Sequence, residues 1–386
     1  MPTTRMKNTF YRLALPLLAP RPGRDCLLPA EGRPLSSLPA YRRLIKRHHV
    51  LGSACLLASG ESTAHLYTRS ISPDHNPVLQ PVFRVASITK MATALLTLVC
   101  VDRGLVSLDQ PFISCMPAAF SNLPSLRGVT LRNLLSHTSG IMDPPDLESS
   151  LEQGRSVLDV LRDARFAEPG TCFRYSNLGF GLFGCLFDVL FDRPFPTVFD
   201  ELIFRPLGCR ATLDASALDP ALIMPVTRIL PYHAGRDVTI TPLGRRPVTA
   251  PDPLHHYGHT AGSMYIDADS LLRLTDCLRH HGAPLISPEL GAEMSRQHAS
   301  YGAASPTLSY GLGLLRIRDP RISDSALLGH QGFAYGCADG AFWEEDTGRT
   351  VIFLNGGCSE AREGRLGLCN RDVLKWAFRK EFPHWN

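Results

Sequence analysis

The sequence predicts an α+β fold: one antiparallel sheet is built from both ends of the chain and flanked by helices, with a mainly helical region inserted between. Three observations carry this reading. Strand-like segments occur near the N-terminus, between Val50 and Thr68. They give way between residues 105 and about 260 to apolar residues at helical spacing, separated by long connections containing proline and glycine. They return after Gly262 as short runs divided by turns, the pattern of a meander.

In chain order, residues 1–35 read as a flexible, proline-containing lead, and Ser37–His48 as a first helix. Val50–Ala58 and Thr63–Thr68 read as strands around a Ser59-Gly60-Glu61 turn, and Pro81–Ala86 as a third extended segment. A helix begins at Ser87, with Met91, Leu95, Leu98 and Val99 on one face and Gly104 as its stop. Ser87 therefore sits at a strand-to-helix junction, where backbone N–H groups are unpaired. Leu131–Leu135, Ser156–Ala164 and Leu178–Phe191 read as helices, and the proline-rich stretch 219–259 as loops bordering a cleft. Ser263–Ile266 reads as a short strand and Asp269–His280 as a helix. Ser309–Arg316, Ala326–Gln331, Cys337–Trp343 and Thr350–Asn355 read as the meander, and Leu366–Phe378 as a terminal amphipathic helix. Residues 36–386 thus form one domain, whose α/β part is 36–104 and 262–386 and whose helical, loop-rich part is 105–261.

Composition narrows the function. A chain of 386 residues with 44% hydrophobic and 20% charged residues can bury a sizeable core. A net charge of +4 with no basic run interleaved with aromatics argues against nucleic acid as a partner. No apolar stretch reaches the roughly 18–20 residues of a transmembrane segment. Eleven cysteines without a Cys-x-x-Cys pair read as free thiols in a reducing, cytoplasmic compartment. Export is the alternative, on Arg5, Lys7 and Arg12 ahead of a short apolar run broken by Pro16.

Lys90 is the only lysine between Lys46 and Lys375, in a chain with five lysines and thirty-five arginines. Arginine keeps its proton in a protein, whereas a desolvated lysine gives it up. In Ser87-x-x-Lys90, a hydroxyl lies one helical turn before that amine, a nucleophile beside a base. The motif alone fits equally a helix N-cap serine and a solvated lysine. Tyr175-Ser176-Asn177 precedes the Leu178 helix, and His330-Gln331-Gly332 ends a strand. Taken singly, Tyr175 reads as a core ring, Asn177 as a helix cap and His330 as a histidine paired with a backbone carbonyl.

Taken in order, these motifs resemble the serine β-lactamase and penicillin-recognising family, specifically its class C branch. The resemblance runs from about Val50 to the C-terminus. It includes Phe83-Arg84-Val85-Ala86-Ser87-Ile88-Thr89-Lys90, Leu134-Leu135-Ser136-His137-Thr138-Ser139-Gly140 and Tyr175-Ser176-Asn177. Thr260-Ala261-Gly262-Ser263, Tyr310-Gly311-Leu312-Gly313 and Gly329-His330-Gln331-Gly332 also fit. It implies a β-lactamase/transpeptidase-like fold and a serine hydrolase needing no cofactor. Ser87 would be the acyl-accepting nucleophile, Lys90 would help activate it, and Tyr175 would relay the proton to the leaving group. Asn177 would bind the substrate amide and hold Lys90. The backbone N–H groups of Ser87 and Phe333 would form the oxyanion hole, with Gly332 keeping the strand edge open and His330 beside the substrate. A cationic Lys90 would favour tyrosinate at Tyr175, and His137 reads as a structural residue tying loops together.

One departure shapes the expected substrate. True β-lactamases of this branch usually carry lysine where His330 stands, and histidine is largely neutral at pH 7. The family's His-x-Gly members are commonly esterases, D-amino-acid peptidases and transacylases. A small ester, amide or peptide is therefore the expected substrate, with weak or no turnover of penicillins. Substrate choice is expected to lie in residues 143–155 and 219–259, and Arg316 and Arg318 are candidate cations near the cleft. The alternatives are an acyltransferase using the same acyl-enzyme, a non-catalytic binding protein on the same fold, and a zinc site at His255-His256-x-x-His259. The last has no acidic or cysteine ligand pattern to complete it.

Overall fold

Ser53–Ser59 and Thr350–Asn355 lie side by side in antiparallel register, with Leu56 opposite Ile352 and Ala54 opposite Leu354. This pairing joins the two ends of the chain into one sheet. The computed structural model describes residues 35–68, 81–229, 236–303 and 305–385, with a few positions before residue 35. Among them the main sheet has nine strands. Their order is Leu28–Pro29, Ser62–Thr68, Ser53–Ser59, Thr350–Asn355, Cys337–Glu344, Leu327–Ala334, Leu315–Ile317, Leu308–Tyr310 and Ala299–Ser300. Most of the expected flexible lead lies outside the described residues.

Both faces of the sheet are covered, which explains why Val351-Ile352-Phe353-Leu354 is apolar without a break. Ile352, Leu354 and Leu56 point into the larger core, shared with the helical region and with the helix Ala268–Arg279. Val351, Phe353, Cys55 and Leu57 point the other way. There they meet Tyr41, Leu44 and Ile45 of the helix Leu38–Arg47, and Val373, Leu374 and Trp376 of the helix Leu368–Trp376.

The structure corrects two expectations about strands. Pro81–Ala86 and Ser263–Ile266 do not enter the main sheet. Phe83–Arg84 and Tyr265–Ile266 pair with each other, and Ala211–Thr212 completes a separate three-stranded sheet. Ser309–Arg316 is likewise two strands, Leu308–Tyr310 and Leu315–Ile317, joined by a reversal. The reversal follows from its glycines. A Cβ on Gly311 would lie 2.4 Å from the Met294 carbonyl oxygen. Gly313, at φ +70°, would place one 2.4 Å from Ala94 Cβ and 2.8 Å from the Lys90 carbonyl oxygen. Two helices, Leu147–Gln153 and Pro288–Ser295, have no counterpart in the periodicity. For the second, Ser287 followed by Pro288 is a start signal that was available in the sequence.

Two helices set the site. Thr89–Asp102 is buried from Thr89 to Cys100, so it is wrapped on all sides rather than amphipathic. Asn177–Phe191 is apolar but for Asn177 and the buried Asp188, and carries Gly179, Gly181 and Gly184. A Cβ on Gly181 would fall 1.6 Å from the Tyr257 carbonyl oxygen, and one on Gly184 would fall 2.1 Å from that of His256. The segment 256–262 is thereby pressed against this helix, and Thr260 Oγ1 locks it by donating to the Phe180 carbonyl at 2.8 Å. Gly181→Ala is expected to lose about 1–3 kcal/mol by overpacking. Urea unfolding checks this, and an unchanged midpoint would show that the helix and the segment shift apart freely.

Candidate active site

Ser87 is the one residue between Pro81 and Cys100 that is not buried. It lies in a short 3-10 turn, Ala86–Ile88, ahead of the helix Thr89–Asp102. Ala86 takes φ +45°, an unusual left-handed conformation for a residue with a Cβ. The turn is held by its neighbours. Thr89 Oγ1 donates to the Ala86 carbonyl at 2.6 Å and accepts the Met264 N–H at 3.0 Å, while the Val85 N–H reaches the Met264 carbonyl at 3.1 Å.

Lys90 is 0% exposed, so a solvated lysine is ruled out. Its Nζ lies 3.2 Å from Ser87 Oγ, 2.9 Å from Asn177 Oδ1 and 2.7 Å from the Ala261 carbonyl oxygen. The last two atoms only accept, so they take two N–H bonds whatever the protonation state. The third direction faces a hydroxyl, which both donates and accepts. A neutral amine therefore presents its lone pair to Ser87, and an ammonium presents a third N–H. Burial pushes the Lys90 pKa down to about 7, with Asp143 acting in the opposite sense.

Tyr175 lies with its ring 4.8 Å from Lys90 Nζ. Burial raises its pKa, a hydrogen bond to Ser87 partly offsets this, and the Asp143 charge raises it further. The expected tyrosinate is thus not the resting form, because desolvation penalises the anion and Lys90 is itself inclined to be neutral. Asn177 is exposed, and its Oδ1 is tied to Lys90 Nζ. It opens the helix rather than capping it. The cap is Ser176, whose Oγ accepts the Gly179 N–H at 2.8 Å.

The strand Leu327–Ala334 passes directly behind the Ser87 turn. A Cβ on Gly332 would lie 2.3 Å from the Val85 carbonyl oxygen. Gly332 therefore lets this strand close on the Val85–Ala86 backbone, a different task from the open substrate edge expected of it. The Phe333 ring is covered by the Arg362 guanidinium at 4.6 Å.

His330 is placed behind the cleft rather than in it. It is 2% exposed, and burial together with Lys90 pushes its pKa down to about 3. Its Nδ1 lies 2.7 Å from the Gln331 carbonyl oxygen, which only accepts, so Nδ1 carries the proton. Nε2 then accepts from Tyr310 Oη at 2.8 Å. Neither nitrogen is left for a substrate, which corrects the expected contact. The pairing with a backbone carbonyl is the plainer of the two sequence readings. His137, at φ +57°, accepts the Ser176 N–H at Nδ1 and packs on the Tyr175 ring at 4.1 Å. It ties the loop after Leu131–Leu135 to the tyrosine.

The other sequence candidates lie elsewhere. Arg316 is bound to Glu345, and Arg318 is exposed beyond it. His255 pairs with Asp252, His256 with the fully buried Asp188, and His259 is buried against Phe195 and His256. Two contributors were not visible in the sequence. Ala261 supplies only a carbonyl, for which side-chain chemistry gives no signal. Asp143 acts across a gap of more than thirty residues on the start of a helix, outside any local capping pattern.

The Beta-lactamase family model matches residues 42–355. Esterase EstB of Burkholderia gladioli is 29% identical over 331 residues, covering 76% of this chain and 82% of that protein. The D-alanyl-D-alanine-carboxypeptidase/endopeptidase AmpH of Escherichia coli K12 is 29% identical over 174 residues, 42% of this chain and 44% of its own. The structure of a D-stereospecific amidohydrolase from a Streptomyces species superposes with a TM-score of 0.69 at 21% identity, covering 90% of this chain and 98% of that one. With the family matched across most of its length and the fold shared, this chain belongs to the beta-lactamase family of serine hydrolases.

Proposed function

We propose that this protein hydrolyses a small ester or amide through a covalent acyl-Ser87 intermediate. The observation that carries the reading is Lys90, buried without a carboxylate bonded to it and aimed at the Ser87 hydroxyl. In the first step the Ser87 Oγ–H proton passes to the Lys90 amine as Oγ bonds to the substrate carbonyl carbon. The carbonyl oxygen becomes an oxyanion, received by the Ser87 and Phe333 N–H groups; two such donors contribute about 3 kcal/mol or more. Tyr175, a phenol at rest, gives its proton to the departing alcohol or amine and recovers one from Lys90 as the old bond breaks. Water then adds to the acyl carbon, Ser87 Oγ leaves with a proton, and the free acid is released. Another alcohol in place of water gives acyl transfer from the same intermediate.

Separate observations support the reading of substrate and compartment. A neutral, fully engaged His330 offers no cation where a β-lactam carboxylate would need one. The similarity to EstB supports an ester, and a small-molecule amide or peptide uses the same steps. Ten described cysteines are free, which supports the cytoplasm. No described helix is long and apolar enough to cross a membrane.

Three outcomes test the reading. Intact mass after a serine-reactive fluorophosphonate should show one adduct in wild type and none in Ser87→Ala. Lys90→Arg, which keeps the charge but cannot release its proton, should label about 10²–10⁴-fold more slowly. No adduct on folded wild type would favour the non-catalytic binding protein. Because Lys90 is depressed to about 7 and only its neutral form accepts the Ser87 proton, kcat/KM for a p-nitrophenyl ester should fall below a midpoint near pH 7. A flat profile down to pH 5 would remove Lys90 as the base. Finally, a chromogenic cephalosporin should turn over at least about a hundredfold more slowly than that ester, a barrier difference of about 2.7 kcal/mol. Equal rates would show that the carboxylate is recognised after all.

A further inference from the structure

Asp143 accepts three hydrogen bonds at the start of the helix Asn177–Phe191. Ser176 Oγ donates to Oδ1 at 2.6 Å, the Asn177 N–H donates to Oδ2 at 2.8 Å, and the Leu178 N–H donates to Oδ1 at 3.1 Å. All three partners are donors here, so the group serves as a carboxylate acceptor. It follows the short strand Ile141–Met142, which ends the same loop that carries His137. This one loop therefore grips Tyr175-Ser176-Asn177 twice, through His137 on the Ser176 N–H and through Asp143 on the next two.

We propose that Asp143 is a positioning residue for acylation: it fixes Asn177 against Lys90 and places a negative charge behind the Ser87–Lys90–Tyr175 group without touching substrate. This rests on the reading of Ser87 and Lys90 given above. The geometry gives the first half, since the residue whose N–H Asp143 holds is the one whose Oδ1 meets Lys90 Nζ. The electrostatics support the second. Asp143 raises both Lys90 and Tyr175, against the burial that lowers the lysine. The other groups facing Lys90 are uncharged at rest: Ser87, Tyr175, Asn177, the Ala261 carbonyl, and the histidines His137 and His330, both pushed down by burial and by Lys90. Asp143 thus opposes the desolvation that would strip Lys90 of its proton too early for Tyr175 to be resupplied.

The test is the pH dependence of fluorophosphonate labelling, followed by intact mass between pH 5 and 9. Asp143→Asn keeps an acceptor oxygen for the cap but removes the charge. Its acid limb should move down by about one pH unit. Ser176→Ala keeps the charge but loses cap bonds, so it should label more slowly with the limb unmoved. An unmoved limb in Asp143→Asn, with slowing like that of Ser176→Ala, would reduce Asp143 to a helix cap and overturn the proposal. Asp143→Glu retains the charge on a longer arm and should keep the limb while slowing labelling. A full wild-type rate in that variant overturns the positioning role, even where Asp143→Asn does not fold. Wild type that labels, with Ser87→Ala that does not, leaves the underlying reading standing in either case. Wild type that never labels overturns both.

Discussion

Everything at this site depends on keeping one amine out of water. Lys90 has no contact with solvent, and its three hydrogen-bonding directions are filled by a hydroxyl, an amide oxygen and a backbone carbonyl. None of the three neutralises an ammonium as a bonded carboxylate would. Desolvation therefore wins over pairing, and the amine sits near the midpoint of its titration at neutral pH. A group poised there moves a proton with little free-energy change in either direction, which suits the taking and returning of a proton proposed for it.

The fold supplies that burial from sequence-distant pieces. Gly313 lets the reversal after Tyr310 sit on the Lys90 carbonyl and Ala94. Gly181 and Gly184 let the 256–262 segment lie on the Asn177 helix, so that the Ala261 carbonyl reaches Nζ. Gly332 lets a central strand press against Val85. At each place a missing Cβ is the condition for backbone to meet backbone. The glycines act as spacers whose absence of bulk sets the cavity around one side chain.

The parts of this arrangement that were legible in the sequence are those carried by side-chain chemistry in a short window. Ser87 and Lys90 lie one turn apart, and Tyr175 and Asn177 are two residues apart, so the motifs announce themselves. The sheet was legible because its strands are apolar runs bounded by turns, from Ser53–Ser59 to Thr350–Asn355. What escaped is set by packing over long separations. Phe83–Arg84 looks like any edge strand, and it is the sequence-distant Tyr265–Ile266 that draws it into a second sheet. Asp143 reads as a loop acid until the helix 34 residues later is folded onto it. His330 looked like a substrate contact because of its place in a motif, and burial decides otherwise.

The place of His330 also explains how the site balances its charges. A lysine there would set a second ammonium near Lys90 and depress it further by repulsion. The histidine instead spends its N–H on the neighbouring Gln331 carbonyl and its lone pair on Tyr310, and stays neutral. Lys90 is then shifted by desolvation alone, against a single carboxylate. A site balanced in this way holds its proton chemistry without help from an anionic substrate. The uncharged acyl donor proposed above fits this balance, since a neutral His330 presents no cation to a substrate carboxylate.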